Sequence, residues 1–105
     1  RLLVRDRGRI VPLAMRDVER LEAEDDYVGV HAGGRRYLVE LPLAEFERRL
    51  DPARFLRVHR AHIVNLDHVR QFAPYDGARL LVEMRDGTKI LASRARSREL
   101  RDLAV

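Results

Sequence analysis

Residues 55–65 read Phe-Leu-Arg-Val-His-Arg-Ala-His-Ile-Val-Asn, and the order of apolar and basic side chains in this stretch decides what the chain becomes. Phe55 and Val58 on one side, and Ile63 and Val64 on the other, are aromatic or β-branched anchors, so two short strands flank a basic centre. Arg57, His59, Arg60 and His62 are then held on a short irregular connection between core-anchored segments, not on a free tail. An arginine fixed in this way loses little rotamer freedom on docking, and its planar fork suits phosphates and guanine edges. The competing reading is internal: Arg57 and Arg60 pair with acids of a neighbouring helix, such as Glu45 or Glu47.

That helix lies just upstream. Pro42 can open it, and Leu43, Phe46 and Leu50 form one apolar stripe opposite Glu45, Glu47, Arg48 and Arg49. Asp51-Pro52 ends it, because a residue before proline is pushed out of the helical region. Further back, Val18 to Glu24 reads as a strand, and Tyr27–His31 and Tyr37–Leu41 flank a Gly33-Gly34 hairpin turn. At the start, Leu2–Arg7 and Arg9–Leu13 form a hairpin about Gly8, with Pro12 placing the second strand at an edge. Downstream, Val69–Tyr75, Leu80–Met84 and Thr88–Ala92 make a three-strand meander, with Asp76-Gly77 and Asp86-Gly87 as hairpin turns. Ser93 caps a last helix on which Arg94, Arg98 and Arg101 share one face and Leu100 and Leu103 the opposite one. Eight to ten short strands with one or two short helices make a mainly β chain.

The 105 residues suffice for one domain and leave no room for a second. At 46% hydrophobic and 36% charged the chain has enough apolar material to fold. No apolar run approaches the roughly 20 residues needed to cross a bilayer, and no signal pattern opens the chain. With no cysteine there is no disulfide, thiolate nucleophile or cysteine-based metal site. A start at Arg1 instead of Met suggests a domain excised from a longer protein.

The net charge of +4 comes from 20 arginines and one lysine, Lys89, against 17 acids. Residues 1–50 carry ten basic and ten acidic side chains, and residues 51–105 carry eleven and seven, so the whole excess lies in the second half. It gathers in two places. Arg54, Arg57, His59, Arg60 and His62 occur with no acid between Pro52 and Leu66, and Arg94, Arg96 and Arg98 follow Ser93. Two basic clusters point to a polyanion.

Enzymatic chemistry finds little support. His59 and His62 are spaced H-R-A-H, without the intervening glutamate of a zinc-protease motif, and on one strand they would face opposite sides. No phosphate-binding glycine loop, nucleophile elbow or catalytic carboxylate pair is present. Asp25-Asp26 reads as a solvated turn ahead of Tyr27. No catalytic residue, cofactor or metal site is expected.

Taken in order, Asp17–His31, Pro42–Leu50, Phe55–Asn65 and the Asp-Gly-Thr-Lys-Ile-Leu-Ala-Ser-Arg ending at 86–94 resemble the LytTR DNA-binding domains of bacterial response regulators. The resemblance covers nearly the whole chain. It implies short antiparallel sheets in an elongated β-β-β arrangement with little helix, inserting loop side chains into successive major grooves of double-stranded DNA. It places the family's contact regions at Asp25-Asp26, around Arg60, and at Ser93-Arg94. The implied DNA-binding set is Arg57, His59, Arg60, His62, Arg94, Arg96, Arg98 and Asp26, with Arg96 and Arg98 near phosphates. Asp26 fits least, since a carboxylate can accept from cytosine N4 but is repelled by phosphates. The resemblance further implies a cytoplasmic regulator without enzymatic activity, an upstream receiver or sensor domain, promoter repeats as the target, and a dimer on DNA. Two readings stand against it: a signalling module docking a partner protein, and an RNA-binding β-barrel. The few aromatics sit in core-like patterns, which leaves RNA the weaker of the two.

Overall fold

A computed structural model describes residues 1–105, and its elements follow the alternation of the sequence. The strands are β1 (Leu2–Asp6), β2 (Arg9–Leu13), β3 (Val18–Glu24), β4 (Tyr27–Ala32) and β5 (Arg35–Val39). After helix α1 (Leu43–Arg49) come β6 (Phe55–His59), β7 (His62–Asn65), β8 (Val69–Pro74), β9 (Leu80–Met84), β10 (Lys89–Leu91) and helix α2 (Arg94–Leu103). All strand pairs are antiparallel: a β1-β2 ribbon, a central sheet ordered β5-β4-β3-β7-β6, and a β10-β9-β8 meander. The molecule is elongated, 45 × 24 × 22 Å.

The central sheet is buried on both sides at its β7 end. Leu21, Val28, Val30, Tyr37 and Ile63 join Leu43, Phe46 and Leu50 of the α1 stripe and Val4 of the ribbon in one core. Val58 and Val64 turn to the other side and pack with Val69, Val82, Met84 and Ile90 of the meander. Successive strand side chains point to opposite faces, so the consecutive pair Ile63-Val64 feeds both cores. This double burial explains an apolar run where a one-sided strand would alternate. At Gly33-Gly34, φ values of 58° and 77° require glycine for the tight β4–β5 turn. Asp25 also takes a positive φ, 54°, at the β3–β4 turn.

The hairpin turn expected at Asp76-Gly77 joins β8 to β9 through residues 75–79. The Asp76 carboxylate closes that loop by accepting from the Ala78 and Arg79 amides at 2.9 and 2.7 Å and from the Arg79 guanidinium. These bonds hold its pKa well below the usual carboxylate range. On α2 the expectation is corrected at Leu103, which is 69% exposed, while half-buried Leu100 packs against the meander core as expected; the fully buried residue is Ser97, whose Oγ accepts from the Leu80 amide at 2.9 Å. Arg101 turns back to the Ala78 carbonyl, 3.1 Å away, instead of lining a free face.

Candidate nucleic-acid interface

The basic centre of residues 55–65 is no irregular connection: β6 and β7 are adjacent antiparallel strands joined through Arg60 and Ala61. His59 and His62 face each other across this turn with ring centroids 5.6 Å apart, which replaces the expectation that they point to opposite sides. The Ala61 amide donates to His59 Nδ1 at 3.1 Å and fixes that ring within the turn. His62 is half-buried, and burial lowers its pKa below the ordinary histidine value, so it is neutral at pH 7 and adds no cation.

Arg57 follows the internal reading. Its Nη1 donates to Glu47 of α1 at 3.0 Å, its Nε to the His59 carbonyl at 3.0 Å, and its Nη2 to the Arg60 carbonyl. The guanidinium therefore ties the His59 and Arg60 carbonyls to α1, with only 14% of the side chain exposed. Arg60, at the tip, is exposed, and its side chain has no partner.

Backbone bonds align the other two regions with this tip. The Ala23 amide donates to the Ala61 carbonyl at 2.9 Å, so the Asp25-Asp26 turn, which ends the same strand, lies beside the Arg60 turn. The Ser93 amide donates to the Val58 carbonyl at 3.0 Å, which roots the start of α2 on β6 two residues before Arg60. Ser93 Oγ caps the helix through the Arg96 amide at 3.2 Å. Arg94 and Arg98 are exposed without partners, while Arg96 is half-buried and pairs with Glu99 at 3.2 Å. Asp26 is exposed at its turn. Of the sequence-level cations near the tip, the structure leaves Arg60, Arg94 and Arg98 free and engages Arg54, Arg57 and Arg96 with acids.

Sequence reasoning missed Arg70, a free exposed arginine on β8, and two buried polar residues that set this geometry. Asn65 donates to the Val18 carbonyl at 2.8 Å and accepts from the Asp67 amide at 3.0 Å, fastening β7 to the start of β3. Ser97 fastens α2 to β9. Only the Asn65 position, directly after an apolar run, carried any signal.

The sequence profile of the LytTr DNA-binding domain matches residues 8–104. A solved LytTr DNA-binding domain from Bacillus cereus superposes with a TM-score of 0.87 at 27% identity, covering 97% of this chain and 94% of that one. The heme-containing CO-sensing transcriptional regulator RcoM 1 of Paraburkholderia xenovorans is 33% identical over 98 residues, 92% of this chain and 37% of that protein. The sensory transduction protein LytT of Bacillus subtilis is 32% identical over 94 residues, 90% of this chain and 39% of that protein. The chain thus spans well under half the length of these relatives. Profile, solved structure and relatives agree, and the chain belongs to the LytTr DNA-binding domain family.

Proposed function

We propose that this domain binds double-stranded DNA sequence-specifically for a transcriptional regulator, with Arg60 inserted into one major groove and Arg94 reading an adjacent one. The observation that carries the reading is the Arg60 turn: an unpartnered, exposed guanidinium at the tip of a two-residue connection whose own carbonyls Arg57 braces. The braced backbone fixes where this side chain starts, and its guanidinium has bidentate geometry available to guanine O6 and N7. Arg57 acts as a positioning residue, Arg98 takes a phosphate, and His59 and His62 shape the turn. Arg96, tied to Glu99, contributes to the local field, and Asp26 stands at the margin of the interface.

One turn and one helix start bury too little surface to select a site among a genome's competitors, so repeated promoter half-sites bound by two copies fit the domain best. An upstream receiver or sensor domain would bring the copies together. The test is selection of duplexes from a random pool, followed by titration of selected and scrambled duplexes at several salt concentrations. A shared consensus, with affinity falling steeply as salt rises, supports the reading. Absence of duplex binding would favour a protein-docking module.

Charge reversal at Arg98 separates backbone contact from base reading. Arg98 is exposed and forms no ion pair, Asp102 one helical turn further on included. Arg98→Glu is expected to weaken selected and scrambled duplexes alike and to lower the salt slope by about one charge. Unchanged affinity for both would remove Arg98 from the interface.

A further inference from the structure

On the side of the central sheet away from the α1 core, the strand register sets Glu22 and Glu24 of β3 beside His31 of β4. The potential ligand atoms of these three side chains lie within 4.8 Å of one another. His31 Nε2 is buried without a hydrogen-bond partner and lies 4.0 Å from Glu22 Oε1, too far for a hydrogen bond. A buried ring nitrogen left unpaired beside a carboxylate calls for an explanation.

Gly29 borders the same cluster. It lies in the middle of β4, opposite Glu22, without the positive φ that would demand glycine. A Cβ there would collide with Glu24 Oε2, so the glycine keeps open the space in which that carboxylate sits. A glycine inside a strand marks such a close approach.

We propose that Glu22, Glu24 and His31 form a binding site for a divalent transition metal ion such as Zn²⁺. Imidazole and carboxylate together suit this class of ion, at about 2.0 to 2.2 Å per bond. Tetrahedral ligands at that length stand about 3.3 Å apart, so the His31–Glu22 pair must close by less than an ångström. Arg20 and Arg36 each hold Oε1 of one carboxylate. The bonded oxygens keep a second lone pair, and the two guanidinium charges keep affinity below that of an all-acidic site. His62, directly opposite Glu22 on β7, flanks the site with its own buried, unpaired Nδ1.

The test uses the chelator-washed chain with any affinity tag removed. Zn²⁺ is titrated by calorimetry, and Co²⁺ is followed by paramagnetic broadening of the histidine ring signals. One equivalent should bind, broadening His31 before His59 and His68. His31→Gln and Glu22→Gln should each weaken binding by more than about tenfold. His68→Gln, whose ring lies instead against the Arg16 carbonyl, should bind as the parent does. Amide spectra establish that the variants are folded, and Glu24→Gln supplies a third ligand deletion if one of them is not. The proposal is overturned if His31 is no more affected by Co²⁺ than His68, or if folded ligand variants retain parental affinity.

Discussion

Replacing Asn65 by alanine is expected to lower the folding free energy by roughly 2 to 4 kcal/mol, a large share of the total for a domain of this size. The side chain has no solvent exposure, and its Nδ2 and Oδ1 satisfy the Val18 carbonyl and the Asp67 amide. Alanine would orphan both groups, each at a cost of about 1 to 3 kcal/mol where water cannot reach. The loss also frees the end of β7 from β3, the strand that aligns the Arg60 turn with its neighbour. Urea unfolding followed by circular dichroism measures the effect. A midpoint shift equivalent to less than about 1 kcal/mol would show that water replaces the side chain at no great cost.

Arg60→Ala is expected to leave stability unchanged, because the side chain is exposed and touches nothing that the fold needs. Its effect falls on DNA. Removing one bidentate guanine contact costs about 1 to 3 kcal/mol, so affinity for a selected duplex should drop by roughly 5- to 150-fold. Scrambled duplexes should lose only the contribution of one cation. The gap between selected and scrambled affinities therefore narrows, in contrast to the parallel losses expected for Arg98→Glu. Fluorescence anisotropy on both duplexes with the parent and the variant gives the comparison. Equal losses on both would demote Arg60 to a phosphate contact.

The strands were legible because apolar alternation and turn glycines state them directly: Gly33-Gly34 and the Leu43, Phe46, Leu50 stripe lie where their chemistry requires. The errors arose where side chains act over long range. Leu103 fits an apolar face by spacing, yet it is exposed, and α2 docks through Leu100 and the Ser97 bond to the Leu80 amide. Arg57 and Arg60 look alike in sequence, three residues apart in one basic run. Only the packing of α1 against β6 and β7 brings Glu47 to Arg57 and leaves Arg60 free. The Glu22, Glu24 and His31 cluster was illegible for the same reason, being assembled by register between neighbouring strands.

Methylation interference with dimethyl sulfate on a selected duplex tests the central claim most directly, since the reagent marks guanine N7 in the major groove and adenine N3 in the minor groove. Methylation of guanine N7 at discrete positions should block binding of the parent domain, and Arg60→Ala should become indifferent to one of those positions. Interference confined to adenine N3, or a guanine pattern that Arg60→Ala leaves unaltered, would contradict the claim.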